Sequence, residues 1–418
     1  MRPEARRYWQ LGAFVAIPLA IALTAQRSES LRPQPPELRA DASLVVISGR
    51  DTGAGTLREA IAAAARHQGR VRIILRPSRI TLLSPLPSLV NADGVVVDAL
   101  ESRCELDARA IGDIPALQVS APASTISGLR IRNARDAAIL VRAPRVTLRD
   151  VAIRDSADGI VLAGARGAVI ERSLFERNTN GVRVDGTSPG AAIRGCTFRR
   201  HDGAGVWAVS GTPHAGAGLR LENNDFRDDR VSIVLVNLGA SLTKNVIRGA
   251  AENAIYLMQT RSAVRSNRIL GGAGGGILAD RSDNLLIEGN EIDHNATVGI
   301  LVRSCRNTSV QRNVVHANAY GIAAVFGDRG APNVIGENLV MSHRIDGLFI
   351  VGSSPLLRAN RLLQNGGAAA RVLDFVPWDG PRVPADPRFD ANTFSGNGVN
   401  SAVHGEYRPK RVPQEASR

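Results

Sequence analysis

Three consecutive segments in the middle of the chain share one pattern: NVIRGAAENAIYLMQTRSAVRS (245–266), NRILGGAGGGILADRSDNLLIEG (267–289) and NEIDHNATVGILVRSCRNTSVQR (290–312). Each segment begins with asparagine, has an apolar residue two positions later, and has another three positions before the next segment begins. The segments are 22, 23 and 23 residues long. Self-similarity at a period of roughly 20–50 residues is the sequence signature of a repeat architecture.

The same register continues in both directions and covers twelve cycles. Both marked positions are apolar in every cycle, whereas a chain that is 44% hydrophobic would interrupt the pattern repeatedly by chance. The cycles begin at Leu129, Val151, Ser173, Cys196, Asn224, Asn245, Asn267, Asn290, Asn313, Asn338, Asn360 and Asn392. A second, partial asparagine series lies five residues further along, at Asn178, Asn295, Asn318, Asn365 and Asn397.

These short alternating segments predict an all-β fold, a parallel β-solenoid of about twelve or more coils, because each coil has room for about three strands. Asparagines stacked about 4.8 Å apart can hydrogen-bond along the axis as a ladder. Glycine opens the next strand, where we expect the backbone to bend sharply, at Gly159, Gly181, Gly205, Gly276, Gly299, Gly321 and Gly347. The Leu-x-x-Leu-x-Leu frame of leucine-rich repeats is absent, which excludes that architecture.

The repeat resembles the right-handed parallel β-helix of the pectin-lyase-like superfamily over residues 44–400. The segment DTGAGTLREAIAAAARHQGRVRIIL (51–75) is similar to the Gly-x-Gly-[Ser/Thr]-Leu-Arg-x-Ala opening of many exported β-helices, including pectate lyases. Thr56 and Glu59 have the spacing of a capping box, so a helix is expected to begin there and to close the N-terminal end of the solenoid. Its apolar face consists of Leu57, Ala60, Ile61 and Ala64.

The two ends of the chain differ in composition from the repeat. Three arginines precede the short apolar stretch Leu11–Leu23, which indicates a signal peptide or signal anchor over residues 1–25. The proline-rich segment 26–40 is expected to be an extended linker. The capped β-helix is assigned to 41–402, and the basic segment 403–418 to a flexible tail. A periplasmic or secreted protein is therefore expected, with the N-terminal anchor as its one contact with a membrane.

The charge of the chain favours anionic partners. Lysine and arginine number 52 against 39 aspartates and glutamates, which gives a formal net charge of +13. Acidic glycans, nucleic acid and anionic lipid are all anionic partners that such a surface favours, and no continuous basic run singles out nucleic acid. The resemblance to polysaccharide-active β-helices implies an acidic polysaccharide as the partner, and nucleic acid is not expected. Three cysteines cannot form a disulfide framework, and neither a paired Cys/His metal-ligand spacing nor a P-loop is present. A monomer is expected.

The strand after each glycine presents alternate side chains outward, which places two columns of residues on one face of the rod. Trp207 and Tyr256 lie two coils apart in the first column and would offer a platform for sugar rings. Arg183 and Asp185 are further predicted substrate contacts. Packing of the two aromatic side chains under a loop is the alternative interpretation.

Asp280 and Arg303 are outward neighbours on adjacent coils of the second column, and Arg281 follows directly. The insertion Gly211–Gly218 and the segment Asp228–Arg230 are expected to wall the same groove. A surface ion pair of small energetic value is the alternative interpretation of Asp280 and Arg303.

The resemblance to alginate-type C5-epimerases and polysaccharide lyases implies chemistry on uronic acid polymers, in which a proton leaves the carbon beside the carboxylate. Arg281 or Arg303 would neutralise that carboxylate. Proton exchange would fall to one of four side chains, Tyr256, Tyr320, His294 and His316, although a lone turn histidine is usually solvated.

This sequence departs from the family motifs in two respects. The Asp-Pro-His-Asp segment of the epimerases is absent, because ADRS (279–282) lacks the Pro-His pair. The calcium-binding carboxylate cluster of pectate lyases is not recognisable, so the use of calcium stays open and no metal site is assigned. A non-catalytic glycan-binding or cell-envelope scaffold protein is the competing interpretation, since a fold does not fix a function.

Overall fold

Each repeat folds into three short strands joined by turns, as its alternation of apolar and polar residues predicts. A computed structural model of the chain describes residues 40–212, 215–327, 332–377 and 380–408. They form a right-handed parallel β-solenoid of about 13 turns, which confirms the predicted fold class. At about 4.8 Å per turn the solenoid is roughly 60 Å long.

Three parallel sheets run along the solenoid. Sheet 1 has 15 strands: Ala42–Val46, Val71–Leu75, Val95–Asp98, Thr125–Ser127, Thr147–Arg149, Val169–Glu171, Ala192–Arg194, Ala215–Glu222, Leu238–Thr243, Ala263–Arg265, Leu286–Glu288, Ser309–Gln311, Val334–Gly336, Leu356–Arg358 and Arg388–Asp390. Sheet 2 has 14 strands: Arg79–Thr81, Glu105–Asp107, Arg130–Arg132, Ala152–Arg154, Leu174–Glu176, Thr197–Arg199, Asp225–Arg227, Val246–Arg248, Arg268–Leu270, Glu291–Asp293, Val314–His316, Leu339–Met341, Arg361–Leu363 and Thr393–Ser395. Sheet 3 has 13 strands: Leu117–Val119, Ala137–Val141, Asp158–Leu162, Asn180–Asp185, Ala204–Val209, Val231–Val236, Ile255–Met258, Ile277–Asp280, Val298–Arg303, Tyr320–Val325, Leu348–Val351, Ala368–Phe375 and Val399–Tyr407.

The two apolar columns of the repeat fill the interior of the solenoid. Three phenylalanines of one column, Phe175, Phe198 and Phe226, stack with ring centroids 4.9 and 4.6 Å apart and nearly parallel planes. Ile292 of the same column and Ile287 of the other have no exposed surface. The repeat therefore buries identical or similar side chains directly above one another as the sequence predicts, except in the last cycle, where Phe389 is 39% exposed.

The predicted asparagine ladder forms along the turn between sheets 1 and 2. In each step the side-chain oxygen of one asparagine accepts hydrogen bonds from both the backbone N–H and the amide nitrogen of the asparagine one coil before it, at 2.9–3.1 Å. The ladder contains Asn224, Asn245, Asn267, Asn290, Asn313, Asn338, Asn360 and Asn392. These buried amides satisfy both one another and the turn backbone.

The second ladder, between sheets 2 and 3, contains histidine as well as asparagine. His343 lies between Asn318 and Asn365: its Nδ1 accepts from the Asn318 N–H at 3.0 Å, and its own N–H donates to the Asn365 side chain at 3.1 Å. His201 and Asp229 take two further rungs and contact each other at 2.6 Å, with no side-chain exposure. The prediction that Asp229 walls an outer groove is therefore wrong, because its carboxylate points into the interior.

Glycine opens the strands of sheet 3 because successive coils approach closely there. A Cβ atom at Gly321 would lie 2.3 Å from the Gly347 carbonyl oxygen, and one at Gly159 would lie 2.3 Å from the Gly181 oxygen. Neither Gly159 nor Gly321 has a positive φ. The glycine column therefore reflects the space between coils rather than the sharp bend that the sequence suggested.

The predicted N-terminal helix, α1 (Leu57–Arg66), packs against the first two strands of sheet 1. Its four buried residues are the predicted face. Thr56 Oγ1 accepts from the Glu59 N–H at 3.3 Å, and a Glu59 carboxylate oxygen accepts from the Gly55 N–H at 2.6 Å. The Asn91 side chain donates to the carbonyl of Ala64 near the other end at 2.9 Å. The helix is thus capped at both ends.

The predicted boundaries at the chain ends are only partly covered by the structure. The last strand of sheet 3 ends at Tyr407, so regular structure continues past the predicted limit at residue 402. The signal segment, the linker up to residue 39 and residues 409–418 lie outside the described residues. Within the described part of the chain, no helix is long and apolar enough to cross a membrane.

Candidate functional site

The outward face of sheet 3 carries the two predicted columns in the predicted register. Trp207 and Tyr256 occupy the first column two coils apart, which is roughly 10 Å along the axis. In the second column Met258 pairs with Asp280, and Asp280 pairs with Arg303. The winding of the chain thus brings together side chains that are more than forty residues apart in sequence.

Asp280 is the centre of a cluster at the end of a sheet 3 strand. Its residue is 4% exposed, and its carboxylate accepts a hydrogen bond from Arg303 Nε at 3.0 Å and forms an ion pair with Arg281 Nε at 3.4 Å. The Arg281 and Arg303 side chains remain 58% and 44% exposed. Two guanidinium groups are therefore held on one buried carboxylate while part of each faces solvent.

Tyr256 belongs to the same cluster through a methionine that the sequence analysis did not select. The Tyr256 hydroxyl donates to the Met258 sulfur at 3.3 Å, and Arg281 Nη2 lies 3.6 Å from that sulfur. The hydrogen bond to Asp280 raises the pKa of Arg303 above its ordinary value, and the nearby Tyr256 phenol adds a smaller effect in the same direction. Arg303 therefore stays charged beside a phenol. We call Tyr256, Met258, Asp280, Arg281 and Arg303 the Asp280 cluster.

A cavity of about 450 Å³ lies beside the Asp280 cluster, at the turns that lead from sheet 3 to sheet 1. Its lining includes Arg281, Asp283, Arg306 and Phe326. Arg306 Nε contacts Asp283 across adjacent coils at 3.0 Å. The sequence did not single out this cavity. Asp283 and Arg306 are 23 residues apart and opposite in charge, but several other pairs on adjacent coils share both features.

A second cavity, of about 600 Å³, lies on sheet 1 beyond the same turns. Three of its lining residues are arginines, Arg220, Arg261 and Arg265, and Asn284 joins it to the turn that holds Arg281. Of the insertion Gly211–Gly218, residues 215–218 begin the long sheet 1 strand and Gly218 lines this cavity, whereas residues 213 and 214 lie outside the described residues. An arginine-lined surface therefore continues around the corner from the Asp280 cluster.

The predicted substrate contacts have different environments. Trp207 is 40% exposed and follows Arg183 in the first column, so both face outward. Arg183 forms an ion pair with the buried Asp158 at 2.8 Å. The Asp185 carboxylate accepts from the backbone N–H and hydroxyl of Thr187 in its own turn. Trp207 and Arg183 are thus available on the surface, whereas Asp185 stabilises a turn.

Three of the predicted proton-exchange residues lie away from the Asp280 cluster. His294 and His316 lie at the ends of sheet 2 strands and share Asp293 as a partner, at 2.6 and 2.7 Å. Tyr320 begins the strand that Val325 ends, and Val325 is the neighbour of Arg303. Five residues of strand correspond to roughly 16 Å. These three side chains therefore do not join Tyr256 at one site.

Tyr320 has its own surroundings at the start of sheet 3. Its ring contacts Phe349 with a centroid separation of 5.2 Å. Arg371 lies one coil beyond Phe349 and binds the buried Asp346 at 2.6 Å, which raises the pKa of Arg371. This second arginine–carboxylate pair resembles the Asp280 cluster in kind.

The repeat, the three sheets and the columns agree with one known family. The right-handed β-helix region model matches residues 101–217 and 214–365 of this chain. The chain belongs to this family. No curated protein sequence matches this right-handed β-helix.

Solved structures share the fold of this right-handed β-helix at low sequence identity. PfbA, a surface adhesin of Streptococcus pneumoniae, is 13% identical with a TM-score of 0.54, over 82% of this chain and 94% of its own. The catalytic unit of the GH87 α-1,3-glucanase of Streptomyces thermodiastaticus strain HF3-3 is 14% identical with a TM-score of 0.52, over 89% and 71%. A mannuronic acid specific polysaccharide family 6 lyase from human gut microbiota is 13% identical with a TM-score of 0.50, over 83% and 82%. These similarities establish the fold and nothing further.

Proposed function

We propose that this right-handed β-helix is an exported protein that acts on an acidic, uronate-containing polysaccharide as a lyase or C5-epimerase. The observation that carries the proposal is the Asp280 cluster, in which Arg281, Arg303 and the Tyr256 phenol meet on the outward face of sheet 3. A lyase with specificity for mannuronic acid has the same fold. The fold is therefore compatible with this chemistry, and the cluster supplies the groups for it.

The proposed chemistry requires a cation, a base and an acid. Arg303 or Arg281 would neutralise the uronate carboxylate, which makes the proton on the neighbouring carbon more acidic. The Tyr256 phenol would exchange protons with that carbon. In a lyase, the released electron pair forms a carbon–carbon double bond as the glycosidic oxygen leaves with a proton. In an epimerase, a water molecule on the opposite face returns a proton to the same carbon.

The surroundings of the cluster favour a polymeric anion. Trp207 would stack on a sugar ring two coils from Tyr256. The two cavities extend the basic surface around the corner past Arg306 and Arg261. Cationic clefts raise the local concentration of anionic ligands. A chain of uronates would contact several of these arginines at once, whereas a single sugar would contact one.

Binding without catalysis is the second candidate function, and the ion pairing in the cluster favours it. Arg303 and Arg281 both contact the Asp280 carboxylate, so part of their charge is already neutralised before a uronate arrives. Such a surface would hold an acidic glycan as a scaffold protein does. The two candidates differ in whether the bound polymer changes covalently.

The experiment is incubation with alginate and pectate, each with and without calcium. A lyase increases the ultraviolet absorbance of unsaturated uronate ends, and an epimerase incorporates deuterium from heavy water at C5. We expect one of these signals. Retention on immobilised alginate without either signal would instead establish the scaffold function. Retention on immobilised DNA equal to that on alginate, with steep salt dependence, would contradict both the enzymatic and the scaffold function.

We expect Arg303→Gln to lower kcat/KM about 100-fold, because it removes a charge aimed at the carboxylate. Arg177→Gln is the matched control, since Arg177 forms a cross-coil pair with Asp155, at 2.8 Å, on the turns that follow sheet 2. Activity of the control is expected to stay within about twofold of the wild-type protein. Equal activity of the two variants would remove Arg303 from the site.

A further inference from the structure

Two histidines and an aspartate meet at the end of sheet 2, on the turn that leads to sheet 3. Asp293 and His316 are paired positions on adjacent strands, so both side chains leave the sheet on its outer surface. His294 follows Asp293 with a φ of +52°, a left-handed conformation that histidine adopts more readily than most residues. That turn brings the His294 ring to the side of the sheet on which Asp293 lies.

The three side chains converge on one carboxylate oxygen. Asp293 Oδ1 lies 2.6 Å from His294 Nδ1 and 2.7 Å from His316 Nδ1. The two rings have a centroid separation of 5.7 Å and an interplanar angle of 73°, so they approach the oxygen from different directions. One ligand atom from each residue lies within 4.8 Å of the others. This is the arrangement of donors around a shared position.

We propose that Asp293, His294 and His316 form a binding site for a divalent transition-metal ion, with zinc as the ion of reference. Two imidazole nitrogens and one carboxylate are a common set of three protein ligands for zinc, which takes water or substrate in the remaining position. Calcium prefers six to eight oxygen ligands, and one carboxylate beside two nitrogens does not suit it. The site is independent of the Asp280 cluster and of the function proposed for it.

Solvent exposure leaves room for the remaining ligands. The side chains of His294, His316 and Asp293 are 68%, 36% and 25% exposed. Zinc bonds to histidine nitrogen at about 2.0–2.1 Å and to carboxylate oxygen at about 2.0–2.2 Å. The ion would take the place of the two contacts between Nδ1 atoms and Asp293 Oδ1, and exposed rings can move outward slightly to admit it.

The ion would also join two coils of the solenoid. Asp293 and His294 belong to one coil, and His316 belongs to the next. A ligand that binds the folded chain more tightly than the unfolded chain stabilises it by mass action. Zinc is therefore expected to raise the melting temperature of the protein, whereas calcium at the same concentration is not.

The test uses the full chain without a histidine tag, titrated with zinc chloride by calorimetry and followed in parallel by thermal melting. We expect one high-affinity zinc ion per chain and a melting temperature that rises with zinc. Mutation of a residue that hydrogen-bonds to a metal ligand typically lowers metal affinity about 10–100-fold, so removal of a ligand itself should lower it at least as much. His316→Ala and His294→Asn should each weaken zinc binding by about tenfold or more. Asparagine tolerates the left-handed conformation at position 294, which keeps that variant folded.

His404→Ala is the control, because His404 is exposed on the last strand of sheet 3. It is expected to bind zinc as the wild-type protein does. The proposal is overturned if zinc binds equally to the wild-type protein and the two cluster variants, if His404→Ala alone loses zinc, or if calcium gives the same stoichiometric binding.

Discussion

Replacing Asn290 with leucine is expected to lower the free energy of unfolding by about 4 kcal/mol, because the change removes several buried hydrogen bonds at once. Asn290 Oδ1 accepts from both nitrogens of Asn267 at 2.9 and 3.0 Å. Its amide nitrogen donates to the Val264 carbonyl and to the Asn313 side chain, each at 2.9 Å. Leucine has the same branched shape and the same number of side-chain heavy atoms but offers none of these groups, so the Asn267 N–H is left without its acceptor.

Urea denaturation followed by circular dichroism measures the change. Glu291→Leu is the matched control, because it introduces the same side chain at the next residue, on the exposed surface of sheet 2. Glu291 forms an ion pair with Arg268 at 3.0 Å, and such an exposed pair is worth roughly 0–1 kcal/mol. Equal midpoints for Asn290→Leu and the wild-type protein would mean that the ladder does not stabilise the solenoid.

The second large effect concerns pH and one buried histidine. Burial lowers the pKa of His343 from 6.5 to about 4. The contacts agree with a neutral ring, since Nδ1 accepts from the Asn318 N–H while Nε2 lies 3.1 Å from the Val315 carbonyl oxygen. A proton on Nδ1 would point directly at the hydrogen of the Asn318 N–H. The folded state therefore binds this proton more weakly than the unfolded chain does.

The sign of the pH effect follows from this difference in proton binding. Because the unfolded chain binds the proton more tightly, the contribution of His343 to stability is complete above about pH 6.5 and declines as the pH falls towards 4. Each pKa unit corresponds to about 1.4 kcal/mol, so the loss at pH 4 is about 3 kcal/mol.

His343→Asn isolates this effect from that of the carboxylates. Asparagine occupies the neighbouring rungs of the same ladder, and there Asn318 and Asn365 donate to interior carbonyls as His343 does. The difference in unfolding free energy between the wild-type protein and the variant should change by about 3 kcal/mol between pH 7 and pH 4. His404→Asn, which alters an exposed side chain, should follow the wild-type profile. Parallel profiles for all three proteins would show that position 343 does not take up the proton.

The sequence predicted the fold in detail because each coil repeats the same physical requirement. A buried apolar side chain such as Ile292 recurs in coil after coil, and a laddered amide such as Asn290 recurs in eight successive cycles, so their spacing reveals the winding. The capping box at Thr56 and Glu59 identified the helix for the same reason, since its chemistry is local. His343 and His201 belong to the second ladder but were not predicted there, because the prediction considered asparagine alone and histidine can replace it as a hydrogen-bonding rung.

The candidate site was predicted only in part, because the repeat shows which residues lie above one another but not which side chains touch or where they lie along a strand. The outward register placed Tyr256, Asp280 and Arg303 together, as the structure has them. Met258 joined them through a sulfur contact that no spacing rule anticipates. His294 and His316 were assigned to the same chemistry without regard to the sheet on which they lie. Both histidines lie before the start of a sheet 3 strand, whereas Arg303 lies at the far end of such a strand, so the length of the strand separates them from Arg303.

The asparagine ladder has a consequence for how such a chain can change in length. Each rung bonds to the rungs above and below it and to a backbone carbonyl of the coil before it, and this pattern repeats from Asn245 to Asn338. Excision or duplication of one whole segment, such as residues 267–289, would bring together ends that already match. Genetic recombination between repeats can therefore lengthen or shorten the rod in whole units.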